Sequence, residues 1–206
     1  MQNINFIKTS IPEGQYKQKY SLGNIIIYHI GTTFNNERNT YECYECTVSA
    51  STFDEDVIKS AFSEFVAKIN AMQLKQAKAE KIAEITAYDK YPSVNSFLLN
   101  NKQRWLDVDL RRSLSYSTNI LKEDEEKTVD IWFDTECETM NIDNALYMLK
   151  ELEVYAKQTN NVTHQHKAEV MALTSIEEVE SYDITKGYPD KLVFSNEKLS
   201  ETVSNL

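Results

Sequence analysis

The residues best suited to hold a metal ion are three cysteines and two of the three histidines. Cys43 and Cys46 have the Cys-x-x-Cys spacing of a zinc knuckle, and Cys137, His164 and His166 are possible further ligands. However, the Cys43–Cys46 pair lies in a β-favourable run, where positions i and i+3 project to opposite faces. His164 and His166 also diverge if their segment is helical. The spacing therefore favours structural side chains over a zinc site, and we predict no metal and no cofactor.

Catalytic chemistry has little support in the sequence. His29 lies in an apolar run and is interpreted as a hydrogen-bonded sheet residue, and no serine lies in a glycine elbow. Asp134, Glu136 and Glu138 are close in sequence, but an acidic protein contains such groups by chance. The chain has only four glycines, which leaves none for a phosphate-binding loop or a dinucleotide fingerprint. We therefore predict a protein that is not an enzyme and has no catalytic residues.

The charge balance argues against polyanionic partners. The formal net charge is −10, and the basic doublet Arg111-Arg112 is flanked by Asp107 and Asp109. Nucleic acids and anionic membranes both attract cationic surfaces, so neither is an expected partner. No apolar run approaches the ~20 residues of a membrane-spanning helix, and the N-terminus lacks a signal-peptide layout. We expect synthesis in a reducing cytosol and three free thiols.

Residues 1–50 have the composition of a small antiparallel sheet. Strands are predicted at Asn3–Lys8, Asn24–Ile30 and Tyr41–Val48, from their β-branched and aromatic residues. The segment Asn35–Asn39 separates the last two and is turn-forming. This region is the predicted N-terminal β module.

Residues 51–87 contain one predicted long helix, which runs from Asp54 to Ala87. Ser51–Asp54 resembles a helix start, and no helix-breaking residue follows before Ala87. A seam of apolar residues recurs at steps of four, three, four and three: Ile58, Phe62, Phe65, Ile69 and Met72. We predict that the helix is either a spacer or an oligomer contact and that this seam is a protein interface. The alternative is that the seam packs on the chain's own sheet.

Residues 88–194 predict a C-terminal α+β module, and residues 195–206 a polar tail, so the fold class is α+β. Trp105 and Trp132 are expected in the core of this module. Its predicted elements, in chain order, are a hairpin from Ser96 to Trp105 turning at Asn100-Asn101, a helix capped by Asp107, a strand at Thr128–Phe133, a helix capped by Asp143, and a short helix opened by the capping box Thr174–Glu177 and ending at Tyr182.

Two segments of the C-terminal half share a short, weakly similar motif, here called the Tyr-Asp echo. Tyr88-Asp89 is followed by Tyr91-Pro92, and Tyr182-Asp183 is followed by Tyr188-Pro189. Proline cannot continue a helix, so we interpret both as the same device for ending one.

The segment from Ala83 to Phe194 resembles a known family. The likeness lies in these stretches: Ala87–Phe97, Arg104–Asp107 with Arg111, Ile131–Phe133, Asp143–Ala156, Asn161–His164, His166–Ala168, Leu173–Asp183 and Gly187–Leu192. Together they resemble a C-terminal domain of unknown function in proteins of Bacteroides phages and prophages, with relatives among tail-fibre assembly proteins. The family has no catalytic residues to transfer to this chain, and residues 1–82 lie outside the likeness.

The resemblance implies a bacteriophage setting. The expected function is that of a structural protein of the virion, made in the bacterial host cytoplasm and associated with the tail or tail fibres. Its expected partners are other phage structural proteins, and the symmetry of phage particles favours a homo-oligomer. The alternative is a tail-fibre assembly chaperone that is not retained in the virion, and an enzyme acting on a small molecule is the least favoured class.

Overall fold

A computed structural model describes residues 4–204 and has the predicted α+β architecture. The chain divides into two compact units, the first ending at Lys75 and the second beginning at Gln76. This division falls inside the long helix, so it differs from the predicted module boundaries at residues 50 and 87.

The N-terminal unit contains a four-stranded antiparallel sheet in the order β1-β4-β3-β2. Its strands are β1 (Ile7–Pro12), β2 (Lys19–Leu22), β3 (Ile25–Asn35) and β4 (Thr40–Ser49). The strands predicted at Asn24–Ile30 and Tyr41–Val48 correspond to β3 and β4, and both are confirmed. The prediction of a strand at Asn3–Lys8 is wrong, because the strand begins at Ile7 (Asn3 itself lies outside the described residues). Ile4 and Phe6 are apolar because they pack against the core, not because they pair in the sheet.

A β-bulge in β3 is built around Gly31. The register between β3 and β4 shifts between Ile30 and Thr33, and Gly31 has φ +65°. A Cβ atom at Gly31 would lie 2.6 Å from Cζ of Phe62 on the helix that covers this face. Glycine is therefore required twice here, by the left-handed backbone of the bulge and by the close approach of an aromatic ring.

The long helix α1 spans Glu55–Tyr88, which confirms the predicted helix to within one residue at each end. Asp54 caps it, since its Oδ1 accepts hydrogen bonds from the amides of Asp56 at 3.0 Å and Val57 at 3.2 Å. These bonds satisfy two donors that have no partner within the helix.

The C-terminal unit combines helices with two small sheets. One sheet has the order β6-β5-β9, with β9 parallel to β5, and the other is the antiparallel pair β7-β8. The elements are β5 (Phe97–Leu99), β6 (Lys102–Arg104), α2 (Val108–Glu123), β7 (Thr128–Phe133), β8 (Glu136–Asn141), α3 (Ile142–Ala172), α4 (Ile176–Ser181), β9 (Val193–Phe194) and α5 (Asn196–Ser204).

Two local predictions for this unit, a hairpin turn and a helix cap, are confirmed. Asn100 and Asn101 have φ of 49° and 62°, as the predicted tight hairpin turn requires. Asp107 accepts a hydrogen bond from the amide of Leu110, as a helix cap should.

Two caps are displaced from their predicted positions. Asn141, not Asp143, caps α3, because its side-chain oxygen accepts from the amides of Asp143 and Asn144. Ser175, not Thr174, opens α4, and its reciprocal partner in the capping box is Glu178. In both cases a neighbouring residue with an equivalent oxygen takes the position that the tertiary structure fixes.

Two further predictions for this unit are wrong. Residues 195–206 are not a simple polar tail, because α5 forms there and buries Leu199 in the core with Leu152. Trp132 is 60 % exposed, whereas Val129, Ile131 and Phe133 on the other face of β7 are buried. The strand alternates as predicted, but the tryptophan lies on its solvent side.

Candidate assembly surface

The two faces of the N-terminal sheet have different surroundings. On one face, here called the inner face, the first turns of α1 pack against the strands. Ile58 is 1 % exposed and lies in a cluster with Ile26, Tyr28 and Val48. The opposite face is here called the outer face.

Most residues of the predicted interface seam pack against the inner face. The ring of Phe62 lies 5.2 Å from that of Phe6 and 5.3 Å from that of Tyr44, and Phe65 contacts the same two rings. Ile58, Phe62 and Phe65 thus pack on the chain's own sheet, which is the alternative to an interface between chains. Ile69 is half-buried, and Met72, the last residue of the seam, is 70 % exposed.

A short segment crosses the outer face. Strands β1 and β2 lie at opposite edges of the sheet, so residues 13–18 between them must pass over β4 and β3. The ring of Tyr16 stacks 4.3 Å from Tyr41, and its hydroxyl lies 3.0 Å from Oγ1 of Thr32. We call residues 13–18 the crossing segment.

Beside the crossing segment, the outer face carries exposed apolar side chains. The strand register places Tyr20 opposite Ile27 and Leu22 opposite Ile25. Leu22 is 64 % exposed and Tyr20 37 %, while Ile25 and Ile27 are half-buried. We call these four residues the apolar strip. Ile7 is also exposed on the outer face, at 66 %, but it lies on the opposite edge strand, where Glu45 and His29 separate it from β2.

His29 fixes the crossing segment to the sheet. It is 2 % exposed, its Nδ1 lies 2.5 Å from the carbonyl oxygen of Lys17, and its Nε2 lies 3.2 Å from Oε2 of Glu45. The rings of Tyr16 and Tyr20 lie on either side at 5.8 and 5.9 Å. The prediction of a hydrogen-bonded sheet histidine is confirmed. Sequence reasoning missed the segment that it holds.

The cysteines of the Cys-x-x-Cys pair lie on opposite sides of β4. Cys46 belongs to the inner-face core, whereas Cys43, three residues earlier, lies on the outer face. Burial, with a smaller contribution from Glu45, raises the pKa of both thiols, so both stay protonated at neutral pH. Within residues 4–204, three or more metal-ligating side chains do not converge at any point, and His164 is exposed while His166 is buried.

The acidic residues after β7 form ion pairs. Lys102, whose Nζ lies 2.8 Å from Oε2 of Glu136, and then Arg104 lower the pKa of the Glu136 carboxyl to about 2. The side chain of Glu138 accepts a hydrogen bond from Asn100 at 3.2 Å. These carboxylates therefore tie the β5-β6 hairpin to the β7-β8 hairpin.

The two copies of the Tyr-Asp echo meet in the C-terminal unit. The rings of Tyr88 and Tyr188 lie 5.6 Å apart. Thr163 donates to Oδ1 of Asp89 at 2.7 Å and lies 3.0 Å from the hydroxyl of Tyr188. The repeated motif therefore forms one contact, which the interpretation of two separate helix ends did not foresee.

A shallow cavity of about 430 Å³ adjoins His166. Of its carboxylates, Glu169 accepts from Tyr182 and Gln165, Glu178 serves the capping box of α4, and Asp183 accepts from Thr185. The hydrogen bond from Tyr182 is the main cause that lowers the pKa of Glu169. These three carboxylates therefore all have structural hydrogen-bond partners.

Among the helices within residues 4–204, none is both long enough and apolar enough to cross a membrane. Comparison of the chain with known protein families, curated proteins and solved structures finds no match.

Proposed function

We propose that this chain is a bacteriophage structural protein, a subunit associated with the tail or tail fibres that acts by assembling with other proteins. The observation that carries the assembly function is the apolar strip on the outer face of the N-terminal sheet. The phage setting comes from the resemblance of residues 83–194 to the phage and prophage domain family.

The exposure of the strip supports binding to protein. Leu22 leaves more than half of its surface in water, and covering such surface stabilises a complex by about 25 cal/mol per Å². Exposed apolar residues that adjoin one another mark interaction sites more often than isolated ones do.

The charge distribution supports the same conclusion. The chain has a formal net charge of −10, which opposes the approach of another acidic protein. Among the outer-face strand positions that the structure describes, Glu45 is the one carboxylate, and His29 contacts it. A partner can thus approach this face with little repulsion, as the charge-poor centres of protein interfaces allow.

The partner is another phage structural protein or a second copy of this chain, the latter in keeping with the closed symmetry of most oligomers. Met72 at the exposed end of the seam is a second point of contact in this proposal. The protein acts in the virion after synthesis in the host cytoplasm.

Quantitative mass spectrometry of purified particles tests the proposal. A structural subunit is present in a fixed stoichiometry, and Leu22→Asp, which places a charge in the apolar strip, should strongly reduce its incorporation. Val154→Asp is the matched control, because Val154 is 45 % exposed on α3 outside the strip. Equal incorporation of both variants would exclude the strip as the assembly surface.

The second candidate is a tail-fibre assembly chaperone, which the likeness to tail-fibre assembly proteins favours. A chaperone would be absent from purified particles, while its loss would deplete them of fibres. The same mass spectrometry therefore separates the two functions.

A further inference from the structure

Both ring nitrogens of His29 face atoms that can only accept hydrogen bonds. Nδ1 lies 2.5 Å from the carbonyl oxygen of Lys17, and Nε2 lies 3.2 Å from the carboxylate of Glu45. Neutral imidazole has one N–H donor, and imidazolium has two. The arrangement around His29 is thus complete only when the ring is protonated.

Loss of the proton leaves one of the two contacts without a hydrogen. If the remaining proton is on Nδ1, the lone pair of Nε2 faces the Glu45 carboxylate; if it is on Nε2, the lone pair of Nδ1 faces the Lys17 carbonyl. Since His29 is 2 % exposed, water cannot easily replace the missing partner.

The other groups around the ring do not change the number of hydrogen-bond acceptors that its two nitrogens face. Tyr16 and Tyr20 contribute their rings, and the thiol of Cys43 on the same face has a pKa raised by burial and by Glu45. The ammonium group of Lys17 is on an exposed side chain. Helix α1 packs on the inner face, so its charges do not face the ring.

We infer that His29 is a proton-dependent latch, which holds the crossing segment on the outer face when protonated and loosens it when neutral. The latch joins three pieces of chain: the crossing segment through Lys17, β3 through His29 itself, and β4 through Glu45. When the ring is neutral, the middle of the segment is held by the contacts of Tyr16 with Tyr41 and Thr32. Its two ends keep the backbone hydrogen bonds from Glu13 to Asn39 and from His29 to Gln18.

The consequence for assembly rests on the proposed function. Tyr41 lies under the crossing segment and packs against Phe34 at 4.8 Å. Loosening the segment extends the apolar strip with these aromatic rings. Proton loss therefore enlarges the surface open to a partner.

Hydrogen–deuterium exchange on the purified chain tests the latch without any partner. After correction for the intrinsic pH dependence of exchange, amides of residues 13–18 should lose protection by about tenfold between pH 5.5 and pH 8. His29→Gln should leave this protection low at both pH values. Amides of the β3-β4 ladder serve as the internal reference for the stability of the N-terminal unit.

Glu45→Gln is the decisive variant. The amide nitrogen of a glutamine at this position can donate to a neutral His29 ring, while Nδ1–H still serves the Lys17 carbonyl. The variant should therefore keep the crossing segment protected at both pH values. A pH dependence equal to that of the wild type would overturn the latch.

Ring ¹⁵N chemical shifts of His29 in the wild type provide a measurement that needs no variant. The latch requires an imidazolium signal at pH 5.5 that converts as the segment loses protection. A neutral ring at pH 5.5, or a protonation change with no change in exchange, would also overturn it. These results are independent of particle assembly, so failure of the latch and failure of the proposed function are distinguishable.

Discussion

Each unit of the molecule buries one histidine, and the two differ in the chemistry of their partners. His29 lies between a carbonyl and a carboxylate. His166 is 6 % exposed and lies 2.8 Å from the Lys186 carbonyl through Nε2 and 2.6 Å from the Tyr182 hydroxyl through Nδ1. The Tyr182 hydroxyl accepts from the protonated ring while it donates to Glu169. It can turn to donate to the neutral ring instead, because the exposed Glu169 keeps its hydrogen bond from Gln165. Burial alone thus does not make a histidine pH-sensitive; two acceptor-only partners do.

The units also differ in how they cover apolar surface. The C-terminal unit encloses a large core, with Phe97, Leu106, Ile131 and Leu152 all at 1 % exposure or less. The N-terminal sheet has a covered inner face and an outer face on which Ile7 and Leu22 stay exposed. The C-terminal unit also exposes apolar side chains, such as Trp132 at 60 % and Val154 at 45 %, so the units differ in the size of the enclosed core and not in whether apolar side chains are exposed.

The largest expected difference in stability is between two leucine-to-alanine variants, one in each unit. Leu152→Ala removes a fully buried side chain and should destabilise the C-terminal unit by about 3 kcal/mol, because it leaves a cavity. Leu22→Ala should change the stability of the N-terminal unit by less than about 0.5 kcal/mol. Urea unfolding followed by fluorescence measures the first, since Trp105 and Trp132 both lie in the C-terminal unit, and amide exchange measures the second. Similar losses would contradict the comparison.

A series at three glycines tests the tight packing of the inner face. Gly31→Ala should cost roughly 2–4 kcal/mol, from a left-handed φ and from the clash with Phe62. Gly23→Ala has a similar φ of +60° but open space, so about 1 kcal/mol is expected. Gly14→Ala has neither constraint and is the control. Thermal unfolding monitored on N-terminal amides should give this order, and equal effects at Gly31 and Gly23 would exclude the clash.

Removal of a tyrosine hydroxyl should matter more in the enclosed core. Tyr155 donates to the carbonyl of Val94 at 2.8 Å, and both residues are buried. Tyr155→Phe leaves that carbonyl without a partner, so a loss of about 1–2 kcal/mol is expected. Tyr28→Phe should cost less, because its acceptor Glu55 is 45 % exposed and also pairs with Lys59. Chemical denaturation of the two variants checks the order.

The smallest expected effect is on acid tolerance. The lowered pKa of Glu136, about 2, means that its contribution to stability is present above its ordinary pKa. That contribution is lost as the pH falls from about 4.5 towards 2, when the carboxylate becomes protonated. Glu136→Gln should flatten the stability of the C-terminal unit over this range, whereas Glu177→Gln, at an exposed position of α4, should not. Fluorescence-detected unfolding between pH 5 and pH 2 provides the test.

Elements with local signals could be predicted from the sequence. The β-branched run before His29, the cap at Asp54 and the Asn100-Asn101 turn each act within a few residues, and the structure has the predicted element at each. The exchange of Asn141 for Asp143 as a cap shows the limit of such signals, since both side chains offer an equivalent oxygen.

The sites of the candidate assembly surface could not be predicted in the same way. The spacing of the apolar residues from Ile58 to Met72 is the same whether they pack against another chain or against the chain's own sheet. Alternation in β7 shows that Trp132 differs in face from Ile131, but not which face is the core. Each of these choices depends on what packs against the element from elsewhere in the chain.

By itself the sequence determined the type of the elements with strong local signals, the acidic charge and the scarcity of glycine-built sites, because these depend on composition and on neighbours along the chain. The tertiary structure alone decided the strand order that sends residues 13–18 across the outer face. It also decided the partners of His29, which come from 12 and 16 residues away. The protonation latch and the apolar strip arise from pairings between strands, and such pairings leave no trace in local sequence.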